Sequence, residues 1–292
     1  MPIRPCVSSD LPVDGAPWLR PDAEAGPGHS LVEEVDGRVV AAGLRVRSTR
    51  SDTDLVELAC EPGHGAELLR ALLVEDDRPV WTRVVPGTSK ADAVARVGHT
   101  EVMQSLPPAS IPAGHPDVHG WGHGRLEAAE RDGIVLRRGT ELTLEELLDL
   151  WMEAYLPAHE DFMPVTDVEA TREVFRTWFT RSLDREASFV AHAADGRALA
   201  GTVLASEIDD VLVPTVIELS PEHPLGVTGA AACVAATLLA VSPRAVELEG
   251  HVDQVLYMSV LETIPHRSAG VLTPMDMVRI EGVRGTPVPR PV

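Results

Sequence analysis

The sequence predicts an α/β (α+β) protein of two tandem domains, each with a mixed central sheet flanked by helices. Short apolar runs with strand spacing alternate with segments of helical periodicity. The pairs Asp36–Gly37 and Asp195–Gly196 each separate two apolar runs, which is typical of a β-hairpin. The order of elements in the first half returns in the second half, which indicates an internal duplication.

Composition limits the classes of partner. The chain has 292 residues, 44% of them hydrophobic, enough for two cores. A net charge of −20 and only 4% aromatic residues exclude nucleic acid as a partner. No apolar run approaches the roughly 20 residues that span a bilayer, and the first residues, MPIRPCVSSD, lack a signal pattern. Cys6, Cys60 and Cys233 form no CxxC motif, so we expect reduced thiols, no membrane association and a cytoplasmic protein.

The first predicted domain covers residues 1–104. Residues 1–28 are rich in Pro, Gly and Asp, which predicts an irregular arm. The runs SLVEEV and RVVAAGLRV form the first hairpin, and DLVELACE forms a third strand. The turn at residues 62–65, PGHG, leads into the helix AELLRALL. Then come the strand VWTRVV, the helix SKADAVARV and the strand HTEVMQSL.

Residues 105–124 are dense in Pro, Gly and His, a composition that predicts a linker. His115, His119 and His123 lie four residues apart, which would suit a zinc site on a helix. The intervening proline and glycines argue against a helix, and no cysteine or carboxylate cluster accompanies the histidines. We therefore predict no metal.

The second predicted domain covers residues 125–282, followed by a tail at 283–292. It opens with the strand GIVLRRG and an amphipathic helix in which Thr143 and Glu146 resemble a capping box. Asp167 opens a second helix, VEATREVFRTWFTRSL. The second hairpin, SFVAHAA and RALAGTVLASEI, leads to the central strand Val211–Leu219. The remaining predicted elements are a small-residue helix ending at Val241, the strand AVELEGHV, the helix QVLYMSVLETI and closing strands in SAGVLTPMDMVRI.

The turn between the central strand and the small-residue helix is the candidate anion site. A helix N-terminus attracts anions because its unpaired amides and its dipole both favour negative charge. Small side chains in GVTGAAACVAATLLAV also allow a ligand or another backbone to come close.

This order of elements resembles the GCN5-related N-acetyltransferase (GNAT) fold, in the tandem form seen in actinobacteria. Residues 29–104 resemble a shortened copy and 125–282 a fuller one. Pro221-Glu222-His223 matches the usual PEH entry to the turn, and Leu225-Gly226 matches the LG before the helix. In that family, backbone amides of the turn cradle the pyrophosphate of coenzyme A.

The turn departs from the family pattern, because its arginine and glycines are missing and Pro224 stands in their place. Each charged contact that such residues make with the pyrophosphate is worth about 1.5–3 kcal/mol, so their loss weakens the binding of coenzyme A. The resemblance then implies a pantetheine-linked acyl donor, either an acyl carrier protein, which lacks the ADP moiety, or acyl-CoA. The residues expected to bind the donor are Leu219, Pro221, Leu225, Gly226, Val227 and Gly229.

A carrier protein needs a docking surface. The arginines of the second helix form a candidate basic face, with a solvated helix face as the alternative: Arg172, Arg176, Arg181 and Arg185.

Aminolysis of a thioester needs a base and, often, an acid. Glu218, just before the turn, is the candidate base, with His223 as a second candidate. The resemblance implies an acidic tyrosine near Leu261, and Tyr257, one helical turn before it on the same face, is the candidate acid. The structural alternatives are an outward-facing Glu218, a loop histidine and a core tyrosine.

The loop LPAHEDFMPVTD between the two helices of the second domain is the candidate acceptor site. Its acidic groups would bind a cationic amine beside an apolar wall; an acidic helix-capping loop is the alternative. The predicted acceptor-binding residues are His159, Glu160, Asp161, Phe162, Thr215 and His251.

The predicted function is amide-forming acyl transfer from a pantetheine thioester to a small amine, in specialised metabolism. Two alternatives stay open. One is a lyase or cyclase that uses His and Glu in the same cleft, and the other is a catalytically inactive binding protein.

Overall fold

The computed structural model describes residues 2–26, 28–74, 77–98, 100–160, 163–208, 210–267 and 275–281. Within these ranges the strands are β1 (Ile3–Pro5), β2 (His29–Val35), β3 (Arg38–Val46), β4 (Asp54–Cys60), β5 (Val80–Val84), β6 (Thr100–Ile111), β7 (Val135–Arg138), β8 (Phe189–His192), β9 (Ala198–Ile208), β10 (Val211–Glu218), β11 (Val246–His251) and β12 (Met275–Ile280). The helices are α1 (Ala66–Val74), α2 (Ser89–Val97), α3 (Pro116–Arg131), α4 (Leu144–Ala158), α5 (Val168–Ser182), α6 (Gly226–Val241) and α7 (Val255–Leu261). The predicted α/β fold class is confirmed. No helix among the described residues has the length and apolar character needed to cross a membrane.

The chain divides into two compact units that do not follow the halves of the sequence. Unit 1 takes residues 1–103, 159–167 and the segment from Met275 onward, and unit 2 takes 104–158 and 168–274. The predicted domains, 1–104 and 125–282, differ from these units because strands are exchanged. β12, near the end of the chain, pairs with β5 in unit 1, and β6 pairs with β11 in unit 2.

Unit 1 contains a mixed sheet in the order β1-β2-β3-β4-β5-β12. Its pairs are antiparallel except β4 and β5, which run parallel. Asp36 and Gly37 have φ values of 51° and 76°, the left-handed conformation that a tight hairpin turn requires, so the predicted hairpin is confirmed. The leucines of α1 are fully buried against this sheet: Leu68, Leu69, Leu72 and Leu73.

A buried ion pair joins two strands of unit 1. Arg45 on β3 and Asp54 on β4 have side chains only 2% exposed, and the Arg45 Nε donates to Asp54 Oδ2 over 2.9 Å. The two terminal nitrogens of the same guanidinium group, Nη1 and Nη2, donate to the carbonyls of Leu72 (2.8 Å) and Arg78 (3.1 Å), respectively. The charge is therefore matched by a carboxylate and by carbonyls at the end of α1 and beyond it, as a buried charge requires.

Unit 2 contains a second mixed sheet in the order β6-β11-β10-β9-β8-β7, in which β10 and β11 are the parallel pair. Nearly every side chain of α6 is buried, since α6 packs between the sheet and α3. A Cβ on Gly229 would lie 3.1 Å from the Leu199 side chain, so a small residue is required there. The predicted capping box is confirmed: Thr143 N–H donates to Glu146 Oε2 (2.6 Å) and Glu146 N–H donates to Thr143 Oγ1 (3.1 Å).

Residues 105–124 form the second part of β6 and the first half of α3, so the interpretation of this segment as an irregular linker is wrong. Pro116 occupies the first helical position, where its missing N–H costs nothing. Gly122 faces α6, and a Cβ there would lie 3.2 Å from Leu239. Of the residues that argued against a helix, Pro116 is thus a helix start and Gly122 a close-packing position.

Candidate functional site

The candidate site of unit 2 lies at the carboxyl end of the central strand β10. The parallel pairing of β10 with β11 includes Leu212 opposite Val246 and Thr215 opposite Glu249. Glu218 ends β10 beyond this register. Its Oε1 accepts hydrogen bonds from the backbone N–H groups of Leu256 (2.8 Å) and Tyr257 (3.0 Å). The carboxylate therefore caps the first turn of α7 from a neighbouring strand.

The position of Glu218 raises its pKa. Burial is the main cause, the nearby Asp253 charge adds to it, and the two N–H bonds oppose it. Among the described residues, no hydrogen bond to Glu218 uses Oε2. One oxygen is thus anchored while the other is available to take a proton, which is the arrangement that a general base needs.

The turn after β10 satisfies much of its own backbone. His223 N–H donates to Ser220 O (3.0 Å), and Gly226 N–H donates to His223 O (2.8 Å). Leu225 N–H donates to the Nδ1 of His223 (3.1 Å). A Cβ on Gly226 would lie 3.0 Å from Ser220 O, so the turn is too tight for a larger residue. Three amides that might bind a phosphate are therefore used within the turn.

The N-terminus of α6 has no side-chain cap at Leu225 among the described residues. The turn and the first helical residues, SPEHPLGVTG, contain no Lys or Arg. Any affinity for an anion here comes from the remaining helix amides and the helix dipole alone.

The predicted donor-binding residues are close in the chain but differ in environment. Pro221 and Val227 are exposed, and Gly226 is buried under the turn. Leu219 and Leu225 pack at the edges of apolar clusters, and Gly229 faces the sheet. For Gly229 the structure gives a packing position in place of the predicted ligand contact.

Tyr257 is 1% exposed and lies in the core of unit 2. Its hydroxyl donates to Leu248 O over 3.2 Å, and burial raises its pKa. The ring fills the space that a side chain at Gly250 would need. These contacts match the core alternative, and the role of Tyr257 as the acid stays a prediction.

The other predicted side chains of unit 2 are partly exposed. His223 lies in the turn, where its Nδ1 is an acceptor, which leaves the proton on Nε2. Thr215 and His251 are half-buried near the ends of β10 and β11. The backbone N–H of His251 donates to Gln254 Oε1 over 2.9 Å. Their predicted contact with an acceptor stays a prediction.

The predicted acceptor loop belongs to unit 1, whereas Glu218 belongs to unit 2. Met163 packs against Met277 and Trp81, and Thr166 N–H donates to Arg50 O over 3.2 Å. The loop's placement in the second domain is thus corrected, because its apolar residue is buried by unit 1. His159 and Glu160 are described within that segment, while Asp161 and Phe162 lie outside the described residues.

Two of the four arginines in the predicted basic face are held in ion pairs. Arg172 binds Glu145 (2.8 Å) and Asp149 (2.6 Å), and Arg176 binds Glu145 (2.8 Å) and Glu173. Arg185, which follows the end of α5, donates to the carbonyls of Gly139 (3.0 Å) and Leu142. Acidic neighbours therefore neutralise Arg172 and Arg176, whereas Arg181 and Arg185 have no acidic partner among the described residues. A basic docking face stays a prediction.

The corresponding turn in unit 1 is occupied by a side chain of the protein itself. Glu33 on β2 is 2% exposed, and its carboxylate accepts from Gly65 N–H (3.0 Å) and contacts His64 Nδ1 (3.0 Å). Gly65 has φ 89° and precedes α1. The carboxylate thus takes the anion position at this helix N-terminus. Sequence analysis missed Glu33 because it precedes its partners by 31 and 32 residues.

Replacing Glu33 by alanine is expected to destabilise the protein by about 1–3 kcal/mol, since the buried Gly65 amide loses its acceptor. Glu33→Gln keeps an acceptor oxygen and is expected to lose less. Urea unfolding of both variants measures the difference. An alanine variant as stable as the natural protein would contradict this role of Glu33.

Comparison with solved structures supports the fold. The chain is similar to a GCN5-related N-acetyltransferase from Sphaerobacter thermophilus, with 15% identity over 89% of this chain and 82% of that one, and a TM-score of 0.55. It is also similar to a tandem GNAT protein from the clavulanic acid biosynthesis pathway, with 16% identity over 93% and 87% of the two chains and a TM-score of 0.52. No protein-family model and no curated protein sequence matches this chain. The fold is therefore a tandem GNAT-like α/β fold.

Proposed function

We propose that unit 2 is an N-acyltransferase that transfers an acyl group from a pantetheine thioester to a small amine. The observation that carries this proposal is the position of the Glu218 carboxylate at the end of β10. Its carboxylate lies where the described pairing of β10 and β11 has ended, with Oε1 anchored to two amides. Burial raises its pKa, which strengthens it as a base. The GNAT-like fold is consistent with acyl transfer but does not by itself fix the activity.

The proposed chemistry needs one proton acceptor. Glu218 takes a proton from the ammonium group of the acceptor through Oε2, and the free amine attacks the thioester carbonyl. The tetrahedral intermediate collapses with cleavage of the C–S bond. The second nitrogen proton goes to the leaving thiolate, so the products are an amide and a thiol. The Nε2–H of His223 is the candidate donor of a hydrogen bond to that thiolate.

The turn supports a donor that relies on its pantetheine arm. The amides of His223, Leu225 and Gly226 are used within the turn, and no cation lies in the first turn of α6. A pyrophosphate would therefore gain little here, which favours an acyl carrier protein over acyl-CoA. The paired arginines of α5 supply no net positive surface for that carrier. A place in specialised metabolism stays a prediction.

A catalytically inactive binding protein is the second candidate. The hydrogen bonds from Glu218 to the first amides of α7 also favour this candidate, because they give Glu218 a structural role that needs no catalysis. The hydroxyl of Tyr257, the candidate acid, donates to a core carbonyl, which also supports this second candidate.

Calorimetric titration of the full chain with acetylpantetheine, acetyl-CoA and an acetylated carrier protein tests the donor. We expect both acetylpantetheine and the acetylated carrier protein to bind. The nucleotide part of acetyl-CoA should improve its affinity over that of acetylpantetheine by less than about tenfold, which is about 1.4 kcal/mol of binding free energy. A gain of about a hundredfold or more would show an intact pyrophosphate site and contradict the proposed donor preference. Binding of none of the three would overturn the acyltransferase proposal in favour of the other candidate.

A further inference from the structure

Two histidines and an aspartate meet at the start of α3 in unit 2. Each of His115, Asp117 and His266 offers one ligand atom, and these atoms lie within 4.8 Å of one another. His266 Nε2 is 2.7 Å from Asp117 Oδ2, and His115 Nδ1 is 3.8 Å from the same oxygen. The two imidazole rings are 3.9 Å apart between centroids. The group joins two segments separated by 149 residues, so no local motif explains it.

Local structure directs these groups toward one point. His115 is the N-cap of α3, and its Nδ1 accepts the N–H of Asp117 at the long distance of 3.2 Å. This nitrogen therefore carries a lone pair and no proton. His266 has φ 56°, a left-handed conformation that is uncommon for a residue with a Cβ. A simple ion pair between His266 and Asp117 does not require His115 to face the same oxygen.

We propose that His115, Asp117 and His266 bind a zinc ion. Imidazole nitrogens and a carboxylate oxygen are ligands that Zn²⁺ prefers, at about 2.0–2.2 Å, and tetrahedral geometry then separates them by roughly 3.3–3.6 Å. The two distances to Asp117 Oδ2, 2.7 and 3.8 Å, bracket that separation. All three residues are partly or fully exposed, so a water molecule completes the fourth position. The lone pair of His115 Nδ1, which accepts the N–H of Asp117 in the metal-free protein, then coordinates the zinc.

The site has a structural consequence for unit 2. Trp121 on α3 donates from Nε1 to Thr263 Oγ1 over 3.2 Å, so the same two segments already touch one helical turn away. Zinc ties the segment after α7 to the start of α3, as metal sites built from distant segments do. The site shares no residue with Glu218 and its contacts, so it stands whether or not acyl transfer occurs.

Calorimetric titration of the metal-stripped full chain with Zn²⁺ tests the site. We expect one zinc per chain, and an affinity lowered by at least about tenfold in His266→Ala and in Asp117→Asn. His123→Ala is the matched control, because His123 lies on α3 outside the group and should leave binding unchanged. Absence of saturable binding would overturn the proposal. So would equal losses in all three variants, or none in the first two.

Cobalt substitution separates a coordination site from loose surface binding. Co²⁺ in a four-coordinate nitrogen and oxygen site absorbs visible light, and we expect that band in the natural chain and its loss in Asp117→Asn. Circular dichroism of the metal-free Asp117→Asn protein checks that it folds. A band that persists in a folded Asp117→Asn protein would show that the metal binds elsewhere.

Discussion

Replacing Glu218 by glutamine is expected to lower kcat for acyl transfer by about 10²–10⁴-fold while the fold is kept. The glutamine Oε1 can still accept the N–H groups of Leu256 and Tyr257, but the amide cannot take a proton. Thiol release from acetylpantetheine in the presence of small primary amines measures the effect. Urea unfolding of the same variant confirms that α7 stays capped.

The control for this variant is Glu222→Gln, an exposed carboxylate in the same turn. It is expected to leave turnover unchanged. Because burial raises the pKa of Glu218, the activity of the natural protein should rise with pH through a pKa above 4.5, the ordinary value for a glutamate. Glu218→Gln should lack that limb of the profile. Unchanged turnover in Glu218→Gln excludes it as the base.

Replacing Arg45 by alanine is expected to cost about 3–5 kcal/mol of the free energy of unfolding. The change removes one of two cations from the Asp54 carboxylate, which is 2% exposed; Arg78 Nε stays 3.1 Å from Asp54 Oδ1, so a loss at the lower end of this range is expected. The carbonyls of Leu72 and Arg78 also lose a donor. Urea unfolding, followed by circular dichroism, measures the loss. If Arg45→Ala does not fold, Arg45→Lys keeps the charge but not the planar set of donors, and it should lose an intermediate amount.

The control for Arg45 is Arg38→Ala, which removes an exposed pair with Glu61. Exposed pairs contribute about 0–1 kcal/mol, so this variant should unfold close to the natural midpoint. Similar losses in the two alanine variants would contradict the importance of burial at Arg45.

Features set by neighbouring residues could be predicted from the sequence. The hairpin turn at Asp36–Gly37 depends on two residues, and the capping box of Thr143 and Glu146 on four. The structure of residues 105–124 could not be predicted from local composition, because the role of a glycine such as Gly122 depends on a distant neighbour. Gly122 is explained by Leu239, which no local pattern connects to it.

The site shows the same limit. Glu218 could be selected from the sequence because it ends the central strand before a turn. Its bonds to α7 could not, since the amides lie 38 and 39 residues further on. The position of the acceptor loop in unit 1 could not be predicted for a similar reason, because Met163 packs against Met277, which is more than a hundred residues away.

The exchange of β12 affects how the chain can fold as it leaves the ribosome. Val278 and Ile280 on β12 belong to the core of unit 1, although nearly all the other strands and helices of that unit come from the first hundred residues. While synthesis continues, β5 has no β12 partner, and that part of the core stays open. Such an edge favours association with other chains. The core of unit 1 can therefore be completed only after β12 has been translated.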